Sequence, residues 1–532
     1  MAGVGARVAT ALGPGSLWWD ELDTALNVTQ RDWGELLDPL GKQQIAPIGF
    51  IAAEKAGTSL LSGDLGLRLF PLLFSILSLF LFWRVASRYL AGVSLLAGVT
   101  LFAASPAMVW YARKAKQYAG DVSATLVLLW LAQKSREDGL EPRQVWLAGM
   151  AGGVAITVSH PAVLVASALL ILLASERLWE KRSLKPLLGL IVGWGIGIAV
   201  QFWTIARLTP DNTRDFMQSA WSFAFMPAPT QSASAALWLP RQVVDFMGFL
   251  VGLLEVDSAW EAAFISAYCV LAVLGVIHLI RARGWDNALL FVPLVAAILA
   301  SVVRILPLSG RLMIYTSPTV LIACLAGVDE IRARLPSRLA AGAQGVAMAL
   351  AIVPALFLPV LIPALNGQDD TRPVLQEVRQ RWQEGDILYV YYGGTKAMKF
   401  YGEPMGMTHW IEGSRFGGDQ REYLRDLDKL RGQRRAWFFH AHAIGCISTV
   451  MHSYLETIGT EIDVVHDSHG NRGMHRSEAR LYDLSDPERL ARSSAEAHPL
   501  LKQGDPRCRD PKTPIGNRIK LQLRGLFRAL TG

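Results

Sequence analysis

About ten blocks of mostly apolar residues occupy the first 364 residues of this chain, and each is close to the length of a bilayer-crossing helix. A transmembrane helix needs about 20 such residues. The blocks predict a polytopic α-helical membrane protein with about ten transmembrane helices, at 67–87, 92–111, 118–133, 144–159, 161–176, 186–207, 260–280, 287–306, 311–328 and 340–364. The segment 241–255 is too short to cross comfortably and is predicted to be an interfacial or re-entrant helix.

Charge supports membrane insertion and predicts an orientation. Charged residues make up only 18% of the 532 residues, and the formal net charge of +7 arises without the dense basic stripe that nucleic-acid binding needs. Lys and Arg concentrate in alternate loops, which should be cytoplasmic. The first 65 residues and everything after 365 should then lie outside the cytoplasm. Arg113, Lys114 and Lys116 crowd into a turn that this rule places outside, an exception that favours a functional role.

Composition changes after residue 365, and this change sets the predicted domains. They are a first extracytoplasmic loop (1–65), a transmembrane helical domain (66–364), a small soluble α/β domain (365–485) and a loosely ordered polar tail (486–532). Strands are predicted at 385–394, 434–442, 461–467 and 478–485, with helices at 395–402 and 450–459. Cys446 and Cys508 would pair only if this part is extracytoplasmic.

A pair of acids after paired tryptophans is the most informative motif. Trp18 and Trp19 suit the membrane interface and would hold Asp20 and Glu21 at the boundary with water. A carboxylate there would accept the proton of an acceptor hydroxyl while a phosphate leaves a sugar. The alternative is that both acids are ordinary first-turn residues of a helix.

The basic turn RKAKQYAGD also fits sugar-phosphate chemistry. Cations held at the interface would stabilise a phosphate leaving group. The candidate residues are Arg113, Lys114 and Lys116, with Tyr118 as a hydroxyl donor, Asp121 as a second acid, and Arg68 and Arg311 at outward span ends. Each basic residue is equally well explained as a headgroup anchor. His160, before a proline, is predicted to be a turn residue rather than a base.

The order of these motifs resembles the GT-C glycosyltransferases, specifically the bacterial branch related to protein O-mannosyltransferases (glycosyltransferase family 39). The matching features are the aromatic-flanked Asp-Glu, the Gln-x-x-Pro that begins at Gln44, the Leu-Arg-Leu around Arg68, and the segments 110–132, 159–164 and 309–322. The resemblance implies a polyprenyl-phosphate sugar donor, no cofactor and often no metal. It also implies Asp20 as the general base, with Glu21 beside it.

The chain departs from this family at its start. Relatives place one hydrophobic span before the Asp-Glu loop, whereas the 19 residues before Asp20 are too short and too polar to cross a bilayer. The expectation is that this span has been lost or that the native start lies upstream of Met1.

The soluble part carries no recognisable cofactor motif. Gly393 and Gly394 follow a predicted strand but lack the full glycine pattern of a dinucleotide site. His440 and His442, two apart on a predicted strand, should face the same side, yet no third ligand stands at zinc spacing. No metal site is therefore assigned, although a divalent metal requirement is left open.

The sequence thus predicts an inverting glycosyltransferase that moves a sugar from a polyprenyl-phosphate donor to an extracytoplasmic glycan, lipid or protein acceptor. Membrane lipids would be its other partners, nucleic acid would not, and its location would be a bacterial inner membrane. A transporter or flippase of lipid-linked sugars is the main rival, although no inverted repeat or mid-span acid supports it. A catalytically idle membrane scaffold of the same fold is the third reading.

Overall fold

The computed structural model describes residues 1–41, 44–136, 141–227, 232–253, 258–283, 287–366, 370–417, 419–443, 446–466 and 477–501. Within them the chain divides into two compact units. The first, the helical unit, comprises Met1–Leu12 and Asn27–Ile362, and the second, the sheet unit, comprises Gly13–Leu26 and the chain from Pro363 onward. Residues 13–26, which the sequence placed with the first loop, thus pack with the C-terminal part.

The described residues form the following helices, numbered in chain order: α1 Ala2–Ala11, α2 Trp19–Thr29, α3 Ile48–Leu60, α4 Asp64–Ala86, α5 Gly92–Ala104, α6 Pro106–Tyr111, α7 Tyr118–Arg136, α8 Pro142–Thr157, α9 His160–Trp179, α10 Leu188–Leu208, α11 Asp211–Ala220, α12 Ser232–Val251, α13 Ala259–Arg283, α14 Ala288–Val302, α15 Ser317–Arg334, α16 Ser337–Asn366, α17 Thr371–Arg381, α18 Thr395–Ala397, α19 Gln420–Leu427, α20 Ile447–Ile458 and α21 Pro487–Arg492.

The predicted membrane-protein class is confirmed, because the predicted spans fall largely on apolar helices of the helical unit, although the span 92–111 is divided at Ser105 into α5 and α6. Among the described residues, six segments are long and apolar enough to cross a bilayer: Asp64–Ala86, His160–Trp179, Lys185–Leu208, Ala259–Ala282, Gly310–Arg334 and Leu339–Leu356. The predicted interfacial helix differs in extent. It begins at Ser232 instead of 241 and ends at Val251 instead of 255, and Pro240 lies inside the helix.

Glycines bring two of these helices into close contact. A Cβ on Gly149 of α8 would lie 1.9 Å from the Gly189 carbonyl oxygen of α10, and one on Gly153 would lie 2.4 Å from that of Gly193. In a membrane the hydrophobic effect does not drive helices together, so helix association depends on close packing. Small residues four positions apart allow the two helix backbones to approach closely. The glycine spacing in both helices therefore fixes this contact.

The described residues of the sheet unit form a five-stranded mixed sheet of order β2-β1-β3-β5-β4. Its strands are β1 Ile387–Val390, β2 Ile411–Glu412, β3 Ala436–His440, β4 Thr460–His466 and β5 Glu478–Asp483. β1 pairs in parallel with β2 and β3, whereas β5 lies antiparallel to both β3 and β4. The sequence predicted four of these strands and missed β2, which has only two residues.

Part of the predicted polar tail belongs to the core of this unit. Helix α21 lies in the predicted tail. Ala495 and Leu501, which follow this helix, are buried among the hydrophobic residues of the sheet unit. The prediction of loose order is thus wrong for this part, while residues 502–532 lie outside the described residues. Cys446 is disulfide-bonded; its predicted partner, Cys508, also lies outside them.

Candidate active site

The Asp-Glu motif opens helix α2, in the part that belongs to the sheet unit. Glu21 is 3% exposed, and its carboxylate accepts a hydrogen bond of 3.0 Å from the backbone N–H of Trp18. A glutamate at the third helical position that reaches back to the residue before the helix completes one half of a capping box. Glu21 therefore helps to start the helix, which is a structural role.

A third acid, Asp23, lies one turn further along α2 and is 2% exposed. Lys396 Nζ donates to its Oδ2 at 2.5 Å and also lies 3.0 Å from the ring centroid of Trp19. This buried ion pair joins α2 to α18, 373 residues away in the chain. Asp20, which precedes both of these acids, is only half-buried. The motif thus offers Asp20, and neither of its neighbours, as the accessible acid.

The segment before α2 is held by several polar contacts within the sheet unit. Ser16 Oγ donates to Asp370 at 2.6 Å and accepts from the backbone N–H of Arg372 at 3.0 Å. The backbone N–H of Leu17 donates to the Tyr401 hydroxyl at 2.7 Å. These contacts fix the start of α2 and therefore the position of Asp20.

The ring of His442 stacks on Trp19, with centroids 4.7 Å apart and planes 12° from parallel. Because β3 ends at His440 and His442 adopts a left-handed conformation with φ +50°, the two histidines do not alternate along one strand. The prediction that they share a face of that strand is wrong. His442 instead supports the tryptophan beside Asp20.

The predicted cations lie in the helical unit, in the turn between α6 and α7. Lys114 Nζ is 4.1 Å from the ring centroid of Trp110, and the guanidinium of Arg113 lies 5.7 Å from the same ring. Lys116 Nζ donates to Gln44 Oε1 at 2.6 Å. The three basic side chains are each at most 6% exposed. Buried cations of this kind are expensive in a membrane protein unless they serve a function or a partner.

Of the other predicted site residues, Arg311, Tyr118 and Asp121 lie near this turn. Arg68 makes its contacts elsewhere. The guanidinium of Arg311 lies 5.5 Å from the ring centroid of Tyr118. Asp121, one turn along α7, is 4% exposed. Arg68 instead donates to the Ala11 carbonyl at 3.3 Å and lies 3.9 Å from Asp64, so its observed contacts tie α4 to α1 and are structural.

A small cavity in the helical unit, with room for about one water molecule, is lined by Gln44, His160 and Thr204 together with mostly apolar residues. Ser159 caps α9 by accepting from the Ala162 N–H, so His160 stands at the first helical position, as a turn residue should. Neither ring nitrogen of His160 has a hydrogen-bond partner among the described residues. Gln44 thus contacts Lys116 and also lines the cavity that His160 lines.

Comparison with known proteins now places this architecture. Residues 47–203 match the family model for dolichyl-phosphate-mannose-protein mannosyltransferase. ArnT from Cupriavidus metallidurans bound to undecaprenyl phosphate aligns with a TM-score of 0.52 at 12% identity, over 90% of this chain and 97% of that one. The chain has the GT-C glycosyltransferase fold. The apo ArnT structure gives a TM-score of 0.51 at 12% identity over the same shares of both chains.

An apo oligosaccharyltransferase from Archaeoglobus fulgidus aligns with a TM-score of 0.49 at 11% identity, over 83% of this chain and 69% of that one. Comparison with curated protein sequences gives no match.

Sequence reasoning missed several contacts of this chain. Asp23 stands three residues after Asp20 and so belongs to the same helical face, a signal that the sequence does contain. Its partner Lys396 lies in a predicted helix of the soluble part, and no local pattern joins the two. A second cluster, formed by His440, His452 and Glu478, was missed for the same reason.

Proposed function

We propose that the chain transfers a sugar from a polyprenyl-phosphate donor to an extracytoplasmic acceptor, with Asp20 as the general base. The observation that carries the proposal is that the three acids of α2 differ in their contacts and burial. Glu21 caps the helix and Asp23 pairs with Lys396, whereas Asp20 remains half-buried at the helix start. A general base must lie within hydrogen-bond reach of the acceptor hydroxyl, which requires an exposed side and therefore suits a half-buried carboxylate.

The donor site follows from the charges of the helical unit. Arg113, Lys114 and Lys116 present three positive charges on one turn, and Gln44 orients Lys116. A polyprenyl phosphate carries negative charge that grows as the sugar leaves, and fixed cations stabilise it without reorganising. The similarity to ArnT, whose structure was determined with undecaprenyl phosphate, supports this lipid class as the donor carrier.

The reaction would be a single displacement with inversion. The acceptor hydroxyl oxygen attacks the anomeric carbon, and the bond from that carbon to the phosphate oxygen breaks. The hydroxyl proton goes to Asp20, and the polyprenyl phosphate leaves with the bonding electron pair. The chain's residues supply the base and the charge stabilisation.

Localisation in a bacterial inner membrane, with the sheet unit outside the cytoplasm, is part of the same proposal. The disulfide at Cys446 supports it, since disulfides persist in oxidising compartments.

The test is sugar transfer by purified, detergent-solubilised protein from a panel of polyprenyl-phosphate sugars. We expect Asp20→Asn to lose at least about 100-fold in rate, since general-base catalysis contributes roughly 10²–10⁴-fold. Glu384→Gln, which removes an exposed acid of the sheet unit, is the matched control and should transfer normally. Undiminished transfer by Asp20→Asn would refute the base assignment. If no donor supports transfer by the wild type, the transporter or scaffold reading replaces this one.

A further inference from the structure

A buried cluster of nitrogen and oxygen donors lies in the sheet unit, apart from the Asp-Glu motif. His440, His452 and Glu478 each place one potential ligand atom within 4.8 Å of the other two. They are 6%, 9% and 2% exposed, respectively. The two imidazole rings are 5.0 Å apart between centroids. Side chains of this polarity are seldom collected inside a small domain without a reason.

The strand register brings these residues together. Glu478 stands opposite His440 of β3 on one side and opposite His466 of β4 on the other. Residues directly opposite each other in antiparallel strands project from the same face of a sheet. His440, Glu478 and His466 therefore form a row on one face, and α20 brings His452 to it.

We propose that this cluster binds one divalent transition-metal ion, best met by zinc, through His440, His452 and Glu478. His466 would be the fourth ligand, since its Nδ1 lies 3.1 Å from Glu478 Oε2 and its side chain is 42% exposed. Imidazole and carboxylate are the usual zinc ligands at about 2.0–2.2 Å, and tetrahedral ligand atoms are then about 3.4 Å apart. The ligand atoms of His440, His452 and Glu478, which lie within 4.8 Å of one another, would move closer together on binding the ion.

Two further residues would orient the ligands. The Tyr482 hydroxyl lies 3.0 Å from His452 Nδ1, while His452 Nε2 lies 3.7 Å from Glu478 Oε1. A hydrogen bond at one ring nitrogen fixes the tautomer that presents the other nitrogen to a metal. Arg480 donates to Glu478 Oε1 as well. Ligating carboxylates are commonly held by such an outer partner.

Arg480 also provides the rival explanation. Its charge alone compensates Glu478, so these residues would be stable as a buried ion pair, with His452 hydrogen-bonded to Tyr482 and His466 to Glu478. The two readings differ in one respect. An ion pair needs no metal, whereas the metal site would bind zinc stoichiometrically.

Metal binding would tie β3, β5 and α20 together just before the segment that carries His442. Because His442 stacks on Trp19 beside Asp20, the ion would stiffen the support of the Asp-Glu motif. The effect on the Asp-Glu motif rests on the proposed function, whereas the binding of zinc does not.

The experiment measures zinc bound to the purified full-length protein in detergent, without a polyhistidine tag, after loading with zinc and removal of the excess. We expect one zinc ion per chain, removable by a chelator. Cobalt substituted into the wild type should give the visible absorption of four-coordinate Co²⁺. Both measurements are independent of transfer activity, so their failure would leave the proposed function standing.

Variants then locate the ion. His440→Gln and His452→Gln should weaken zinc binding about 100-fold or more, and Tyr482→Phe about tenfold. His409→Gln removes an exposed histidine of the same unit and should bind as the wild type does. Should the buried variants fail to fold, His466→Gln, at an exposed position, must still lower the affinity. A wild type that retains no zinc, or undiminished binding by every cluster variant, would overturn the proposal.

Discussion

Replacing Lys396 by Met should release the start of helix α2 from the sheet unit. Lys396 pairs with Asp23 at 2.5 Å, and the side chains are only 10% and 2% exposed. Methionine keeps the length and apolar contacts of the lysine stem but removes the charge. Asp23 would then be a buried carboxylate that has lost its cation, and Trp19 would lose the ammonium over its ring.

The magnitude follows from the burial of the pair. Breaking a buried ion pair by removing one partner costs about 3–5 kcal/mol, because the remaining charge is left uncompensated. Loss of the ammonium from the tryptophan ring adds about 1 kcal/mol. A cost of about 3 kcal/mol raises the open population of the segment by more than 100-fold.

Hydrogen exchange followed by mass spectrometry reports this opening directly, on peptides that cover residues 16–26. Exchange in Lys396→Met should be at least about 100-fold faster than in the wild type, unless unprotected exchange is reached first. Lys399→Met is the matched control. Lys399 pairs with Glu412 at 3.2 Å, but the side chains are 32% and 52% exposed. Such a pair contributes about 1 kcal/mol or less, so the control should change exchange little.

A double variant separates the pair from other losses. Asp23→Leu combined with Lys396→Met removes both charges, and it should be less destabilised than the sum of the two single variants by about 2 kcal/mol or more. Strictly additive costs, or less than a threefold change in Lys396→Met, would refute the reasoning that the pair holds α2 in place.

Three other outcomes are expected. Gly153→Leu should lower the thermal stability and folded yield in detergent, because its Cβ would lie 2.4 Å from a backbone oxygen of α10, whereas Gly195→Leu, with no atom within 4 Å, should not. Lys116→Met should raise KM for the donor about tenfold or more with a smaller change in kcat, since it removes a charge-assisted contact; an unchanged KM would contradict this. Burial lowers the pKa of His498 below its ordinary value of 6.5. The unfolded state then binds the proton more tightly, so stability should fall as pH drops below about 6.5, and His498→Gln should flatten this dependence between pH 5 and 8 in thermal unfolding.

The membrane helices were predictable because their signal is local. A run of about 20 apolar residues needs no distant partner to identify it, and helix α9 at His160–Trp179 coincides with the predicted span 161–176. The start of α12 was missed because the residues before 241 do not continue the apolar run, although the helix extends through Pro240 to Ser232. Proline is tolerated within helices of membrane proteins when neighbouring groups satisfy the freed backbone.

The candidate site was predictable only in its local parts. The Asp-Glu motif and the basic turn are each contiguous in sequence, so residue type and spacing were enough to select Asp20 and Lys116. The Asp23–Lys396 pair spans 373 residues and carries no local signature. His440, His452 and Glu478 likewise come from two strands and a helix, and only the pairing of β3 with β5 places them together.

The three acids of α2 illustrate why spacing alone does not assign a base. Asp20, Glu21 and Asp23 stand within four residues, and each would serve the chemistry equally by residue type. Their surroundings separate them. Glu21 is engaged by a backbone N–H whose loss would unwind the helix start, and Asp23 is neutralised by a buried lysine. Both acids therefore hold structure. Proton transfer at either one would remove a contact that positions the helix, whereas Asp20 stands half-buried at the helix start, and it is therefore the acid that we propose as the base.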